Sequence, residues 1–183
     1  MQKGLLNIPE ADEAQKGGDI PPDDLLRQFG IEGEEKQIFE AYLGNGMQLI
    51  HGRETRDKIL SRINKDDPEG SLANAVGVVM DVLDSKAKGV SDMVRFLAGI
   101  SMLGQIAEVA EAAGIAKFDD DARVLAMSKL LASQISKGIR SGKYNPQELK
   151  QAAQQAATKL KIDPTKGMAE IAQGASKRKS KGA

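Results

Sequence analysis

The stretch SLANAVGVVMDVL, residues 71–83, decides the fold of this chain. Its apolar side chains recur at spacings of three and four residues, which places them on one face of an α-helix. They are Leu72, Ala75, Val76, Val79, Met80 and Leu83. The preceding Asp67-Pro68 pair is typical of a helix start, because Asp is a good N-cap and proline at the first helical position loses only a donor that has no intrahelical partner. We therefore predict a helix that begins at residue 68, ends near Gly89 and buries one side.

Four further helices are predicted around this one from the same periodicity. They run from about Glu34 to His51, from Glu54 to Asn64, from Ser91 to Gly114 and from Asp119 to Ser141. Ser91 is a good N-cap, and Gly114 suits the left-handed conformation that ends a helix. In the last of these helices, the residues predicted to point inward are Val124, Leu125, Met127, Leu131, Ile135 and Ile139.

The composition agrees with an all-α protein. Aromatic residues make up only 3% of the 183 residues, and there is no alternating pattern typical of strands. We predict a compact multi-helix bundle with its helical core at residues 34–141. An extended acidic arm is predicted at residues 1–33, weakly buried helices at 142–175, and a basic, partly disordered tail at 176–183.

Charge is sorted along the chain although the formal net charge is zero. Residues 1–40 contain 4 Lys or Arg and 10 Asp or Glu, whereas residues 122–183 contain 13 Lys or Arg and 3 Asp or Glu. Such asymmetry can order subunits head to tail or direct a basic end toward nucleic acid or an acidic partner. Two solvated ends explain it equally well.

Enzyme chemistry is not predicted. The chain has no cysteine and one histidine, His51, so thiolate nucleophiles and multi-histidine metal sites are excluded. It also lacks a phosphate-binding Gly-rich loop and a nucleophile elbow. The acidic runs at Asp66-Asp67 and Asp119-Asp121 are interpreted as helix caps and not as cation sites. We predict no catalytic residue, metal, cofactor or small-molecule substrate.

Small and basic residues are the candidates for interactions. Two glycines inside a helical stripe predict a bend or the close approach of another helix, and a seam of small residues lets two helix backbones come close. These candidates are Gly44, Gly46, Gly99, Ser101, Gly104 and Ala107, and in the basic tail Lys177, Arg178, Lys179 and Lys181. The seam serves packing within the chain, or a helix that repacks between subunits or enters a membrane. The tail is either solvated or in contact with DNA without sequence preference.

A transmembrane helix is not predicted. The most apolar stretch, residues 90–113, contains Asp92, Arg95, Glu108 and Glu111. Only residues 96–107 are free of charge, fewer than the roughly 20 residues that span a bilayer. The N-terminus carries no secretory signal pattern, so we expect the protein to stay inside the cell that makes it.

Three segments resemble the small structural proteins encoded among the virion genes of tailed bacteriophages. They are FEAYLGNGMQLIH at 39–51, DPEGSLAN at 67–74 and AEVAEAAGI at 107–115, and the opening Gly4-Leu5-Leu6 before an acidic leader is similar as well. The resemblance covers about residues 34–140 and carries no functional residue over. It implies a non-enzymatic virion protein that binds itself and other virion proteins such as portal, tail or ejection proteins.

Two roles within the virion follow from this resemblance. One is an internal protein that is ejected with the DNA as an oligomer and contacts a host membrane afterwards; the other is a fixed component of the neck or tail. Helices rich in Gly, Ala and Met repack at low cost, which favours ejection. The alternative from a different class is a cytoplasmic helical regulator that binds nucleic acid.

Overall fold

The computed structural model of the protein describes residues 21–142 and, beyond them, Thr158 alone. Residues 21–142 contain six α-helices and no strand. The helices are α1 (Pro22–Phe29), α2 (Gly33–His51), α3 (Arg53–Leu60), α4 (Pro68–Asp84), α5 (Asp92–Ala112) and α6 (Asp120–Arg140). The predicted all-α bundle is confirmed.

Helix α5 lies at the centre of the bundle, in contact with α1, α2, α4 and α6. Helices α4 and α6 also pack closely side by side and run in the same direction, since Lys129 reaches Asp67 near one end and Lys137 reaches Asp81 near the other. The six residues predicted to form the inner face of α4 are all buried. Burial of such aliphatic side chains, each worth about 1.5–3 kcal/mol, is the main force that holds the helices together.

Helices α4, α5 and α6 begin at the predicted N-caps. Oδ1 of Asp67 accepts a hydrogen bond of 3.1 Å from the Gly70 amide, and Oγ of Ser91 accepts one of 3.3 Å from the Val94 amide. Oδ1 of Asp119 accepts one of 2.8 Å from the Ala122 amide. Gly114 has φ +68°, the left-handed conformation expected after α5. Helix α4 ends earlier than predicted, at Asp84, and α3 ends at Leu60.

Part of the predicted extended arm is helical. Residues 22–29 form α1, because Pro22 opens a helix with Asp23 and Asp24 in its first turn, where the helix dipole favours acids. Leu25 and Leu26 are buried, and α1 packs on α5. The bundle therefore begins before residue 34. The first twenty residues of the arm, the weakly buried helices and the basic tail lie outside the described residues, apart from Gly142 and the isolated Thr158.

The buried face of α6 matches the predicted one only in part: Leu131 is buried and Met127 and Ile135 pack against the core, as predicted. Val124 is 37% exposed and Ile139 is 48% exposed, although both were expected to point inward. Ala126 and Leu130, one turn apart, are fully buried instead. The small side chain of Ala126 adds little to an apolar pattern, so the pattern of large residues misplaced the centre of this face.

Candidate functional site: the central helix and its contacts

Gly99 marks the point where α4, α5 and α6 meet. A Cβ atom at this position would lie 3.0 Å from Sδ of Met80 and 3.3 Å from Cδ2 of Leu130, both tighter than ordinary contacts. Gly104 and Ala107, on the same helix, are also buried. These three members of the predicted small-residue seam are therefore occupied by packing within the chain.

Ser101, the remaining member of the seam, is half-buried. Its hydroxyl donates a 3.3 Å hydrogen bond to the Leu97 carbonyl, four residues earlier on α5. This bond satisfies the hydroxyl without a partner from another helix.

The two glycines of α2 lie in different environments. Gly46 is buried, and a Cβ there would overlap the side chain of Met102 and lie 3.5 Å from Leu83, so α2 approaches α4 and α5 closely at this point. Gly44 is exposed, with nothing within 4 Å of the position that a Cβ would take. Of these two glycines of α2, only Gly46 is required by helix packing within residues 21–142.

A polar network joins α2, α4 and α5 beside these glycine contacts. The Tyr42 hydroxyl donates a 2.9 Å hydrogen bond to Oδ1 of Asp84, and Nε of Arg95 lies 3.1 Å from the same oxygen. The guanidinium also lies 3.4 Å from Asp92. The contact between Arg95 Nε and Asp84 is an ion pair and not a hydrogen bond, because its geometry does not suit a hydrogen bond.

The environment of Tyr42 disfavours its ionised form. Burial of the ring raises the pKa of the Tyr42 hydroxyl well above its usual 10, and the carboxylate of Asp84 raises it further. Tyr42 is therefore protonated at ordinary pH and donates its hydrogen bond to Asp84.

The sequence pattern treated Tyr42 only as part of an apolar stripe. Two signals point to the network nevertheless. A buried tyrosine needs a hydrogen-bond partner, and Asp84 stands at the C-terminal end of α4, where the helix dipole disfavours an acid. Neither signal identifies the partner, because the three residues are brought together only by packing.

Ion pairs connect the helices elsewhere. Nζ of Lys129, which is 10% exposed, lies 3.3 Å from Oδ1 of Asp67, and Nζ of Lys137 lies 2.8 Å from Oδ1 of Asp81. Glu111 accepts a 2.8 Å hydrogen bond from the Phe118 amide and lies 3.5 Å from Arg123, which closes the loop between α5 and α6. The acidic run that includes Asp67 is thus used for capping and for helix pairing.

The single histidine and the acidic residues of the described bundle form no metal-binding cluster within residues 21–142. His51 is exposed at the last residue of α2. Within residues 21–142, no group of three or more His, Asp or Glu is arranged to hold a metal ion. Lys177, Arg178, Lys179 and Lys181 lie outside the described residues.

Helix α5 has the length and hydropathy of a membrane-crossing helix. It has 21 residues, a mean hydropathy of 1.3 in its most apolar window, and 67% of that window is buried inside the bundle. The core helix of a water-soluble protein has the same properties. Its charged residues lie near both ends, and the polar network holds Arg95 against α4.

These contacts define an all-α bundle built around an apolar, glycine-containing central helix. In comparisons with protein families, with curated proteins and with solved structures, no family model, curated protein or solved structure matches the chain.

Proposed function

We propose that this chain is a non-enzymatic structural protein of a tailed-phage virion. In this role it is an internal protein, present in many copies, that binds itself and other virion proteins and is ejected with the DNA. Its localisation is the virion, after synthesis in the host cytoplasm. The proposal combines the resemblance of residues 34–140 to small virion proteins with the properties of helix α5.

The observation that carries the ejected role is the position and composition of α5. This helix is apolar over most of its length and lies inside the bundle, and two of its close contacts join a glycine to a methionine: Gly99 with Met80 and Met102 with Gly46. Methionine side chains are flexible and adapt to new surroundings at low cost. A helix packed in this way can leave its partners and find others, which an ejected protein must do.

The polar groups of the described bundle support a structural role. Tyr42, Asp84 and Arg95 bind one another across three helices, and Lys129 and Lys137 bind acids of α4. Each of these groups is engaged in holding helices together. No chemical step is needed to explain them.

Quantitative mass spectrometry of purified phage particles tests the proposal. Intact virions and DNA-emptied ghosts are compared for the amount of this protein per particle. Presence in virions and loss from ghosts supports the ejected role. Retention in ghosts shows a fixed neck or tail component instead, and absence from both contradicts a virion role altogether.

A cysteine pair between α4 and α5 tests whether α5 must move. The chain has no cysteine, so Met80→Cys combined with Gly99→Cys creates the only thiols, at positions that pack against each other. Oxidised particles should retain the protein after DNA release, and reduction should restore its loss. The two single-cysteine variants, treated identically, are the controls. Loss from the oxidised particles at the normal level contradicts a required rearrangement.

A further inference from the structure

Helix α3 and the turn that follows it carry a concentration of exposed cations. Residues 53–65 contain five cations and only two acids, Glu54 and Asp57. All five cations are exposed: Arg53, Arg56, Lys58, Arg62 and Lys65. We call residues 53–65 the α3 surface.

The cations of the α3 surface differ from the cations between helices in whether they are paired with acids. In the described part of the chain, Arg53, Lys58, Arg62 and Lys65 make no salt bridge, and Arg56 lies 3.6 Å from Asp57, its neighbour in sequence. The cations that lie between helices are paired with acids: Lys36, Arg95, Arg123, Lys129 and Lys137. The positive charge of the α3 surface is therefore available to a partner.

Folding does not explain where two of these cations stand. Arg53 and Arg56 lie in the first turn of α3, at the positive end of the helix dipole, where a cation is unfavourable. Glu54 is the one acid in that turn. Selection for stability would place acids in the first turn of α3. The two arginines in that turn therefore indicate a binding role.

The neighbouring groups set the limits of this surface. Lys65 lines an open hollow together with Lys117, which extends the positive region past α3. Glu111 lines the same hollow, but it is engaged by Arg123 and the Phe118 amide. On the other side, Asp66, Asp67 and Glu69 follow in sequence and bound the region, and Asp67 is engaged by Lys129.

The size and chemistry of the α3 surface fit the backbone of duplex DNA. Residues 53–60 span about 10 Å at a rise of 1.5 Å per residue, while duplex DNA carries about one phosphate charge per 1.7 Å of its axis. Several phosphates therefore face a helix of this length. Residues 53–65 contain no aromatic side chain that stacks on bases, so neither single-strand preference nor base readout is expected.

We propose that the α3 surface binds the phosphate backbone of duplex DNA without sequence preference. Arg53 and Arg56, three residues apart on one side of α3, supply the contacts together with Arg62 and Lys65 of the following turn, whereas Lys58 points to another side of the helix. The binding is electrostatic and weakens steeply as salt concentration rises. This contact is separate from any made by the basic tail. The DNA-binding proposal can be tested independently of the virion role, because particle composition and DNA affinity are measured in different experiments.

The test is a titration of a short labelled DNA duplex with the full-length chain over a series of salt concentrations. The tail is first neutralised by Lys177→Gln, Arg178→Gln, Lys179→Gln and Lys181→Gln, so that it does not mask the α3 surface. In this background, the test variant carries Arg53→Glu, Arg56→Glu and Arg62→Glu. The matched control carries Arg27→Glu, Lys86→Glu and Lys88→Glu, which reverse the same number of exposed cations elsewhere.

The two triple variants should behave differently. The test variant should lose affinity, and the slope of log K against log salt should become shallower by about one for each phosphate contact removed, up to about three. The control should bind like the parent. Equal loss in both variants shows a general effect of net charge and overturns the proposal, as does unchanged affinity in the test variant or no binding by the parent.

A single substitution separates binding from folding. Arg53→Glu replaces a cation with an acid at the positive end of α3, so its melting temperature should equal or exceed that of the parent. Its DNA affinity should nevertheless fall. If the affinity falls only in variants whose melting temperature also falls, the effect on binding comes from unfolding and the proposal is wrong.

Discussion

Helices α5 and α3 represent opposite uses of the same secondary structure. More than half of the residues of α5 are buried, and its charges are near its ends. Helix α3 buries only Ile59 and exposes all five of its charged side chains. The first helix is explained by packing within the chain. Helix α3 carries more exposed charge than the fold needs. The difference between the two helices distinguishes residues that build the bundle from residues that are available to a partner.

The largest expected effect comes from making a cavity beside α5. Leu97 is completely buried, and Leu97→Ala should lower the free energy of unfolding by about 2–5 kcal/mol, through lost burial and the cavity left behind. Val82, which is 39% exposed on α4, provides the comparison: Val82→Ala should cost less than about 1 kcal/mol. Urea denaturation followed by circular dichroism measures both. Similar losses would show that α5 is not the centre of the core.

The second effect concerns acids of α4. Asp84→Ala leaves the buried Tyr42 hydroxyl without its carboxylate and removes an ion-pair partner of Arg95, which should cost about 1–3 kcal/mol. Asp81→Ala removes a more exposed ion pair with Lys137 and should cost at most about 1 kcal/mol. Urea denaturation followed by circular dichroism compares the unfolding free energies of the two variants. A greater loss for Asp81→Ala would contradict the structural importance of the network.

The network should also be visible in the pH dependence of stability. The pKa of Tyr42 is raised in the folded state, so the unfolded chain loses this proton first as pH increases. The contribution of Tyr42 to stability is therefore complete below pH 10, the ordinary tyrosine value, and decreases as pH rises above it. Lysines titrate in the same range, and Tyr42→Phe is the control that isolates the tyrosine.

Denaturation curves at increasing pH check this sign. The difference in unfolding free energy between the parent and Tyr42→Phe should shrink or reverse above pH 10, since phenylalanine has no proton to retain. A difference that stays constant across this range would mean that Tyr42 ionises as easily in the folded protein as in the unfolded one.

Much of the fold was predictable from local patterns. Spacings of three and four residues located the buried face of α4, and Asp67, Ser91 and Asp119 marked helix starts, because caps and periodicity depend on nearby residues. The face of α6 was predicted only in part, since Ala126 has too small a side chain to signal burial. Helix α1 was missed because its apolar residues, Leu25 and Leu26, form a cluster too short to show a period.

The candidate contacts were less predictable. The sequence pattern selected Gly44 and Gly46 equally, yet only Gly46 faces other helices. Which side of α2 meets α5 is set by the packing of the whole bundle, and two glycines two residues apart point in different directions. The polar network depends on the same long-range packing. Clustered cations at residues 53–65 were visible in the sequence, but their lack of ion pairs was not.

The smallest expected effect is the change in unfolding free energy caused by a substitution at Gly44. It tests the difference between the two glycines of α2. Gly44→Ala should raise the free energy of unfolding by up to about 1 kcal/mol, because alanine loses less backbone entropy in a helix and the position is open. Gly46→Ala, which forces Met102 to move, should lower it. If Gly44→Ala stabilises the isolated chain yet reduces its oligomer, measured by sedimentation, then glycine at this position serves an approach between subunits. An unchanged oligomer would remove Gly44 from the interaction candidates and leave the assembly surface to other residues.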